Sequence, residues 1–530
     1  MRNLELPGRS PVRALNGMAA TSHPLATMTA LRVLQDGGNA MDAAVAACAV
    51  QCVVEPQSTG IGGDCFVLYA PGGRDEVIAF NGSGRAPAAA GEAWFAERGI
   101  AAIDEFSPHA VTVPGAVDAW ARLVADHGSR GLGELLRPAI GFARDGYPIG
   151  ERVALDWAGV TDVLARDPTA RRIFLPEGVP PPVGSVHRQP ELAETLATIA
   201  ERGREGFYEG AVAEDVVGYL RGLGGLHTLD DFAEAAGEYV TPIKTDYRGH
   251  RVYECPPNGQ GVTALIMLNI LSGFDLGRLD PLSAERLHLE IEATRLAYRD
   301  RNSFVADPGQ AEVPVEWLLS TGHAAELRGA IREDRALTEL PPTALPAHAD
   351  TVYLCVVDRE RNAVSFINSL FHSFGSGLVS PKTGVTLHNR GSSFLLEPGH
   401  PNCIAPRKRP LHTIIPGMLV KDGRVAMPFG VMGGHYQATG HSHFLTNVID
   451  FGLDVQSAID QPRAFAEPEG PVEVESGVPR GSVERLRALG HRTCATEKPI
   501  GGGQAIEIDW ESGVLTGGSD PRKDGCALGY

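Results

Sequence analysis

Apolar and polar positions follow a helical period in some stretches of the chain and a strand period in others. After Ser22 the apolar residues recur at helical spacing until Gly37-Gly38, and residues 41–54 form an alanine- and valine-rich run stopped by Glu55 and Pro56. Both stretches predict helices. The turn-rich segment Ser58-Thr59-Gly60-Ile61-Gly62-Gly63-Asp64 then leads into a predicted strand over 65–69, with a partner near 77–80. From Pro114 to about residue 331 the pattern is mainly helical, including helices over 114–126 and 284–298. Strand alternation returns at 239–246 and 250–254.

Residues 340–350, Leu-Pro-Pro-Thr-Ala-Leu-Pro-Ala-His-Ala-Asp, break this pattern. Their three prolines exclude both a continuing helix and a central strand, so an exposed connector is expected. Residues 351–358 alternate as a strand, 359–361 turn, and 362–370 return as the hairpin partner. A second strand pair is predicted at 417–421 and 424–430, then Gly433-Gly434, then an amphipathic helix over about 437–451.

Composition narrows the function classes. The 530 residues are 43% hydrophobic and 21% charged, enough for a sizeable core. A formal net charge of −18 argues against nucleic-acid partners and anionic membranes, and serves solubility. Residues 1–24 carry Arg2, Arg9 and Arg13 without an apolar segment, so no secretory signal is expected. The apolar run at 41–54 is too short to span a bilayer. Eight cysteines form no CxxC pair, which leaves a reduced, cytoplasmic protein as the simplest expectation.

A connector that ends at a threonine heading a strand is the layout a self-cleaving threonine hydrolase requires. The Thr351 hydroxyl would attack the Asp350 carbonyl, an N-to-O acyl shift would give an ester, and water would release it. The freed α-amine, ordinarily titrating at about 7.7–8.0, would then serve as base for its own hydroxyl. By itself Asp-Thr is a weak signal, since any strand can start so. Gly433-Gly434 between a strand and a helix would aim backbone N–H groups at an oxyanion, or simply make a tight turn. Ser369 on the returning strand would hydrogen-bond Thr351, or face solvent. Other chemistries lack their motifs: there is no GxSxG elbow and no HExxH helix. His441 and His443 lie on different helix faces, and Gly501-Gly502-Gly503 lacks a following Lys-Ser/Thr.

Several ordered motifs carry a resemblance that covers nearly the whole chain. Ser22-His23-Pro24-Leu25-Ala26, Gly37-Gly38-Asn39-Ala40, Asp42-Ala43-Ala44 and Gly60-Ile61-Gly62-Gly63-Asp64 resemble the opening signature of the γ-glutamyl transpeptidase family. Val113-Pro114-Gly115-Ala116-Val117, Lys408-Arg409-Pro410-Leu411, Met432-Gly433-Gly434 and Ser519-Asp520-Pro521-Arg522 are similar to its later motifs. The resemblance implies an α/β fold, the four-layer αββα sandwich of N-terminal-nucleophile hydrolases. It also implies a proenzyme cut between Asp350 and Thr351, whose residues 1–350 and 351–530 stay together as large and small fragments of one domain. No metal or organic cofactor is implied. Thr351 would be the nucleophile, Ser369 would stand for the supporting second threonine, and Gly433 and Gly434 would be the oxyanion glycines. His412 and Thr413 fall where transpeptidases hold the substrate α-carboxylate with two serines.

Three departures bear on substrate. Phe371 replaces the family's asparagine on the returning strand, and Arg390 and Ser393 replace the glutamine and aspartate that grip the γ-glutamyl α-amino group. The arginine that binds the α-carboxylate is out of register: Ser83 stands there, with Arg85 two residues on. Unless Arg390 is a surface residue, it would repel an α-ammonium and attract a carboxylate. The pattern is more similar to the oxamate amidohydrolase and γ-glutamyltransferase-like branch than to glutathione hydrolases. A small carboxylate-bearing amide, such as oxamate, is therefore the leading expected substrate. Alternatives are glutathione or γ-glutamyl hydrolysis or transfer, acylase action on a larger amide, and a non-enzymatic binding relative.

Overall fold

The computed structural model describes residues 4–5, 8–337, 350–466 and 470–530; the proline-rich connector lies outside them except for the Asp350 backbone. The first predicted helix forms as Pro24–Gln35, capped by the His23 ring, whose Nδ1 accepts from the Leu25 amide at 3.2 Å. The second, Ala40–Val54, starts with a reciprocal cap: Asn39 accepts from the Asp42 amide and Asp42 accepts from the Asn39 amide. All of its residues are buried, as an all-round apolar helix must be.

Seven antiparallel strands form the sheet beneath these helices, in the order Cys526–Gly529, Met18–Thr21, Asp350–Val357, Ala363–Phe371, Asp64–Ala70, Ile78–Gly82 and Glu238–Val240. A second sheet of seven runs Val12–Ala14, Leu515–Ser519, Gly502–Ile508, Arg424–Met432, Gly417–Lys421, His250–Glu254 and Ile243–Tyr247. Strand alternation divides the core into three apolar layers. Cys65, Val67, Leu354 and Val356 pack with Ala40–Val54, while Phe66, Leu68, Tyr353 and Cys355 meet Met418, Val420 and Ile506 between the sheets. On the far side Val252, Leu419 and Phe429 pack against the helices Gly261–Leu271, Ala284–Phe304 and Tyr436–Ile449. The result is helix, sheet, sheet, helix, the αββα sandwich.

One predicted strand is two. The run at 239–246 divides into Glu238–Val240 at the edge of the first sheet and Ile243–Tyr247 at the edge of the second. Pro242 lies between them and cannot donate to a ladder, so the chain changes sheets there. The helix predicted at 284–298 continues to Phe304. No helix among the described residues is long and apolar enough to cross a membrane.

Candidate active site

Thr351 lies in an irregularity of the central hairpin. Asp350 pairs with Phe371 and Val352 with Asn368, so the register shifts between them. Such bulges re-aim a side chain out of the regular pleat. The buried Thr351 Oγ1 stands 3.0 Å from Ser369 Oγ, which accepts the Phe371 amide at 2.9 Å. Ser369 sits opposite Asp64 on the next strand, and this close pairing accounts for the glycine-rich opening motif. A Cβ on Gly63 would fall 2.2 Å from the Ser369 carbonyl oxygen.

The second sheet brings the glycine pair to the same place. Gly430 admits the Tyr353 ring, which would stand 2.4 Å from a Cβ there, so the two sheets close tightly below the site. Past Met432, Gly433 and Gly434 take φ of +124° and +56° and lead into the helix Tyr436–Ile449. Both are left-handed conformations that glycine adopts without penalty. Gln260 Nε2 fixes the turn by donating to the Gly434 carbonyl at 3.0 Å. From the first turn of that helix Gln437 Nε2 reaches Thr351 Oγ1 at 3.4 Å.

Arg390 is buried, not a surface residue. It opens the short turn Arg390–Ser393, and its guanidinium carbon lies 3.7 Å over the Phe371 ring. Nη1 donates to Thr413 Oγ1 at 2.9 Å, whereas Nε and Nη2 have no hydrogen-bond partner. Burial pulls the Arg390 guanidinium down to about 9, opposed by Asp64, so it stays charged at neutral pH. The buried Ser393 hydroxyl also lacks a partner. Unpaired buried donors are costly, and here they are gathered beside the hairpin that carries Thr351.

His412 is tied to Asp64. Its Nδ1 accepts from the Ile414 amide at 3.3 Å, so Nε2 carries the proton that faces Asp64 Oδ2 at 2.9 Å. Burial and the neighbouring Arg390 bring His412 down to about 3, leaving it neutral. Both ring nitrogens are engaged within the protein, and His412 braces Asp64. Burial pushes the Asp64 carboxyl up, but His388, His412 and Arg390 outweigh it and hold the group at about 2. Asp64 further accepts from the Gly84 and Gly115 amides at 2.9 and 3.2 Å.

Arg85 is not brought into this group. It is partly exposed, pairs with Asp307 at 3.4 Å and Glu238 at 3.7 Å, and shares no partner with Arg390. Thr351, Ser369, Phe371, Arg390 and Thr413 are linked by direct contacts. Asp64 and Gln437 join them without having been singled out from the sequence. Asp64 had a usable signal, a carboxylate heading an otherwise apolar strand. Gln437 had none beyond its place three residues past the glycines.

Among the described residues, one trio has metal-ligand spacing: His288, Glu292 and His491, all buried. Most of its atoms are taken up internally, although His491 Nδ1 has no hydrogen-bond partner. His288 Nε2 donates to the Arg332 carbonyl at 2.8 Å, which leaves Nδ1 to accept from His491 Nε2 at 2.7 Å, while Glu292 accepts from the Leu337 amide at 2.8 Å. The trio secures the chain as it enters the connector.

Two antiparallel sheets held between helical layers, with a hydroxyl pair where they meet, define an N-terminal-nucleophile amide hydrolase. The Gamma-glutamyltranspeptidase family model matches residues 26–530, and the chain belongs to that family. It is 37% identical over 526 residues to the glutathione hydrolase-like YwrD proenzyme of Bacillus subtilis, covering 97% of this chain and 98% of that one. To the oxamate amidohydrolase proenzyme of Klebsiella pneumoniae it is 34% identical over 529 residues, again covering 97% and 98%. The crystal structure of cephalosporin acylase from Bacillus halodurans superimposes with a TM-score of 0.93 at 40% identity, covering 100% of this chain and 99% of that one.

Proposed function

We propose that this enzyme cleaves itself between Asp350 and Thr351 and then hydrolyses a small amide bearing a carboxylate next to the scissile carbonyl, as oxamate does. The freed Thr351 α-amine takes the proton of its own hydroxyl, Oγ1 attacks the amide carbonyl, and the Gly433 and Gly434 amides receive the oxyanion. The leaving amine departs with the proton, and water then releases the acid from the acyl-enzyme. Ser369 holds Oγ1 in line. Relatives that carry the word proenzyme in their names support the cleavage, and residues 1–350 and 351–530 would remain as one αββα body.

The observation that carries the substrate reading is Arg390: a buried guanidinium with two unpartnered N–H edges, set over Phe371 beside the candidate nucleophile. A carboxylate would accept from both Nε–H and Nη2–H in a bidentate pair. Among the described residues linked here, the carboxylate of Asp64 is already committed to His412 and two backbone amides, which disfavours an α-ammonium. Thr413 and Ser393 supply further hydroxyls. The apolar Phe371 face favours a second reading, an acylase acting on a larger amide. Ammonia or amine release from oxamate, glutathione and an N-acyl amide, measured in parallel, separates these readings.

A further inference from the structure

The Thr351 hydroxyl is touched by a second side chain besides Ser369, and it is an amide. Gln437 is fully buried and lies in the first turn of the helix that follows the glycine pair. Its Oε1 accepts from the Ile415 amide at 3.0 Å, which fixes the flip of the carboxamide. The nitrogen end must therefore face Thr351 Oγ1, at 3.4 Å. Turning the group over would set two donors against each other at Ile415.

We propose that Gln437 is a further catalytic residue, whose N–H stabilises Thr351 Oγ1 as the leaving oxygen when the acyl-enzyme is hydrolysed. This rests on Thr351 being the nucleophile. In that step water adds to the acyl carbon and gives its proton to the Thr351 α-amine. The C–Oγ1 bond then breaks, the acid departs, and the α-ammonium returns the proton to Oγ1. Gln437 gives a hydrogen bond throughout and no proton. Negative charge gathers on Oγ1 as the bond breaks, and a contact that is long at rest shortens as charge develops. A neutral amide suits this position, because a carboxylate here would compete with the α-amine for protons and repel the departing oxygen. The same oxygen leaves when the ester formed in self-cleavage is hydrolysed, so both reactions call on the same N–H.

Two substitutions separate this role from packing. Gln437→Glu keeps an acceptor for Ile415 and loses the donor, whereas Gln437→Met loses both ends at similar volume. With oxamate as probe, kcat at pH 8 should fall about tenfold or more in each variant and KM should fall with it, leaving kcat/KM within about twofold, because only the step after acylation is slowed. Intact-mass analysis should find acylated small fragment accumulating. The ratio of Gln437→Glu to wild-type activity should rise as pH falls and the glutamate regains a proton, while the Gln437→Met ratio stays level. Self-cleavage needs no added substrate, so it reports on Gln437 even if oxamate is not turned over. There the variants should build up a hydroxylamine-sensitive ester at Thr351. Wild-type kcat and processing in both variants overturns the proposal, as does an uncut precursor without the ester. Loss of thermal stability in both, with no acyl or ester species, assigns Gln437 to packing instead. Activity in Thr351→Ala would overturn the nucleophile itself, a separate failure.

Discussion

Arg390 stacks on Phe371, its guanidinium carbon 3.7 Å from the ring centre, and Phe371 pairs across the hairpin with Asp350. Phe371 reaches this position with a φ of +79°, a left-handed conformation that a bulky aromatic adopts at a cost. Its amide meanwhile supports Ser369. One strained residue thus ties the buried charge to the hydroxyl pair. In the proposed reading, a carboxylate taken by Arg390 would lie beside the hairpin that carries Thr351, which would suit an amide whose two functional groups are adjacent.

Self-cleavage is the first prediction. A cut before Thr351 divides 56.3 kDa in the ratio 350 to 180 residues, giving fragments of about 37 and 19 kDa. Intact-mass analysis should find the smaller one starting at Thr351, and Thr351→Ala should stay whole and inactive. An active wild-type enzyme that remains a single chain contradicts the mechanism.

Gly434→Val tests the oxyanion site. A β-branched residue is strained at the φ of +56° and crowds the amide. Loss of one oxyanion donor costs about 10²–10³ in kcat, and the processed fraction of this variant should fall at least that far. Near-normal turnover would assign the glycines to turn geometry alone.

Specificity is read through Arg390→Gln. A charge-assisted hydrogen bond contributes about 1.5–3 kcal/mol, so kcat/KM for oxamate should fall roughly 10- to 100-fold, with little change for glutathione. Wild-type enzyme should prefer oxamate. A tenfold preference for glutathione, about 1.4 kcal/mol, would refute the assignment of Arg390 to a carboxylate.

Acid should destabilise the fold well above the carboxylate range. Burial holds His23, His187 and His227 at about 4 and His412 and His491 at about 3, against an ordinary 6.5. Between those values the unfolded chain binds protons that the folded chain refuses. Stability therefore falls as pH drops below about 6.5, by up to about 1.4 kcal/mol per pH unit for each histidine. Asp64 works in the same direction lower down: held at about 2, its contribution is complete above about pH 4 and is lost as pH falls toward 2. Calorimetry from pH 8 to 4 should show Tm falling steeply below 6.5, and a flat profile would contradict the buried neutral imidazoles.

Strand and helix periodicity exposed most of the scaffold because each strand here has one face toward helices and one toward the other sheet. The hairpin around Thr351 and the pair read at 417–421 and 424–430 follow from alternation, the last strand running on to Met432 in the structure. The division at Pro242 was less legible, since two short strands in different sheets read as one alternating run. Within the site, residue type suggested Thr351, Ser369 and the glycines. The engagement of His412 by Asp64 depends on a contact between residues 348 positions apart, and no local pattern records it. Arg85 and Arg390 look alike in sequence. Only the fold distinguishes the ion-paired, partly exposed one from the buried one with unpartnered edges.

The order of strands has a consequence for the lifetime of the enzyme after the proposed cleavage. In the first sheet Met18–Thr21 lies between Cys526–Gly529 and Asp350–Val357, and in the second Val12–Ala14 flanks Leu515–Ser519. Strands from before and after residue 350 are thus threaded through one another in both sheets. Once the bond is cut, the two pieces cannot part without dismantling every layer, so their dissociation and their unfolding are the same event. Refolding then becomes a meeting of two molecules, slow and dependent on concentration, whereas the uncut precursor refolds alone. Maturation would convert a reversible fold into one that persists because it is slow to come apart, and that cannot easily be made twice.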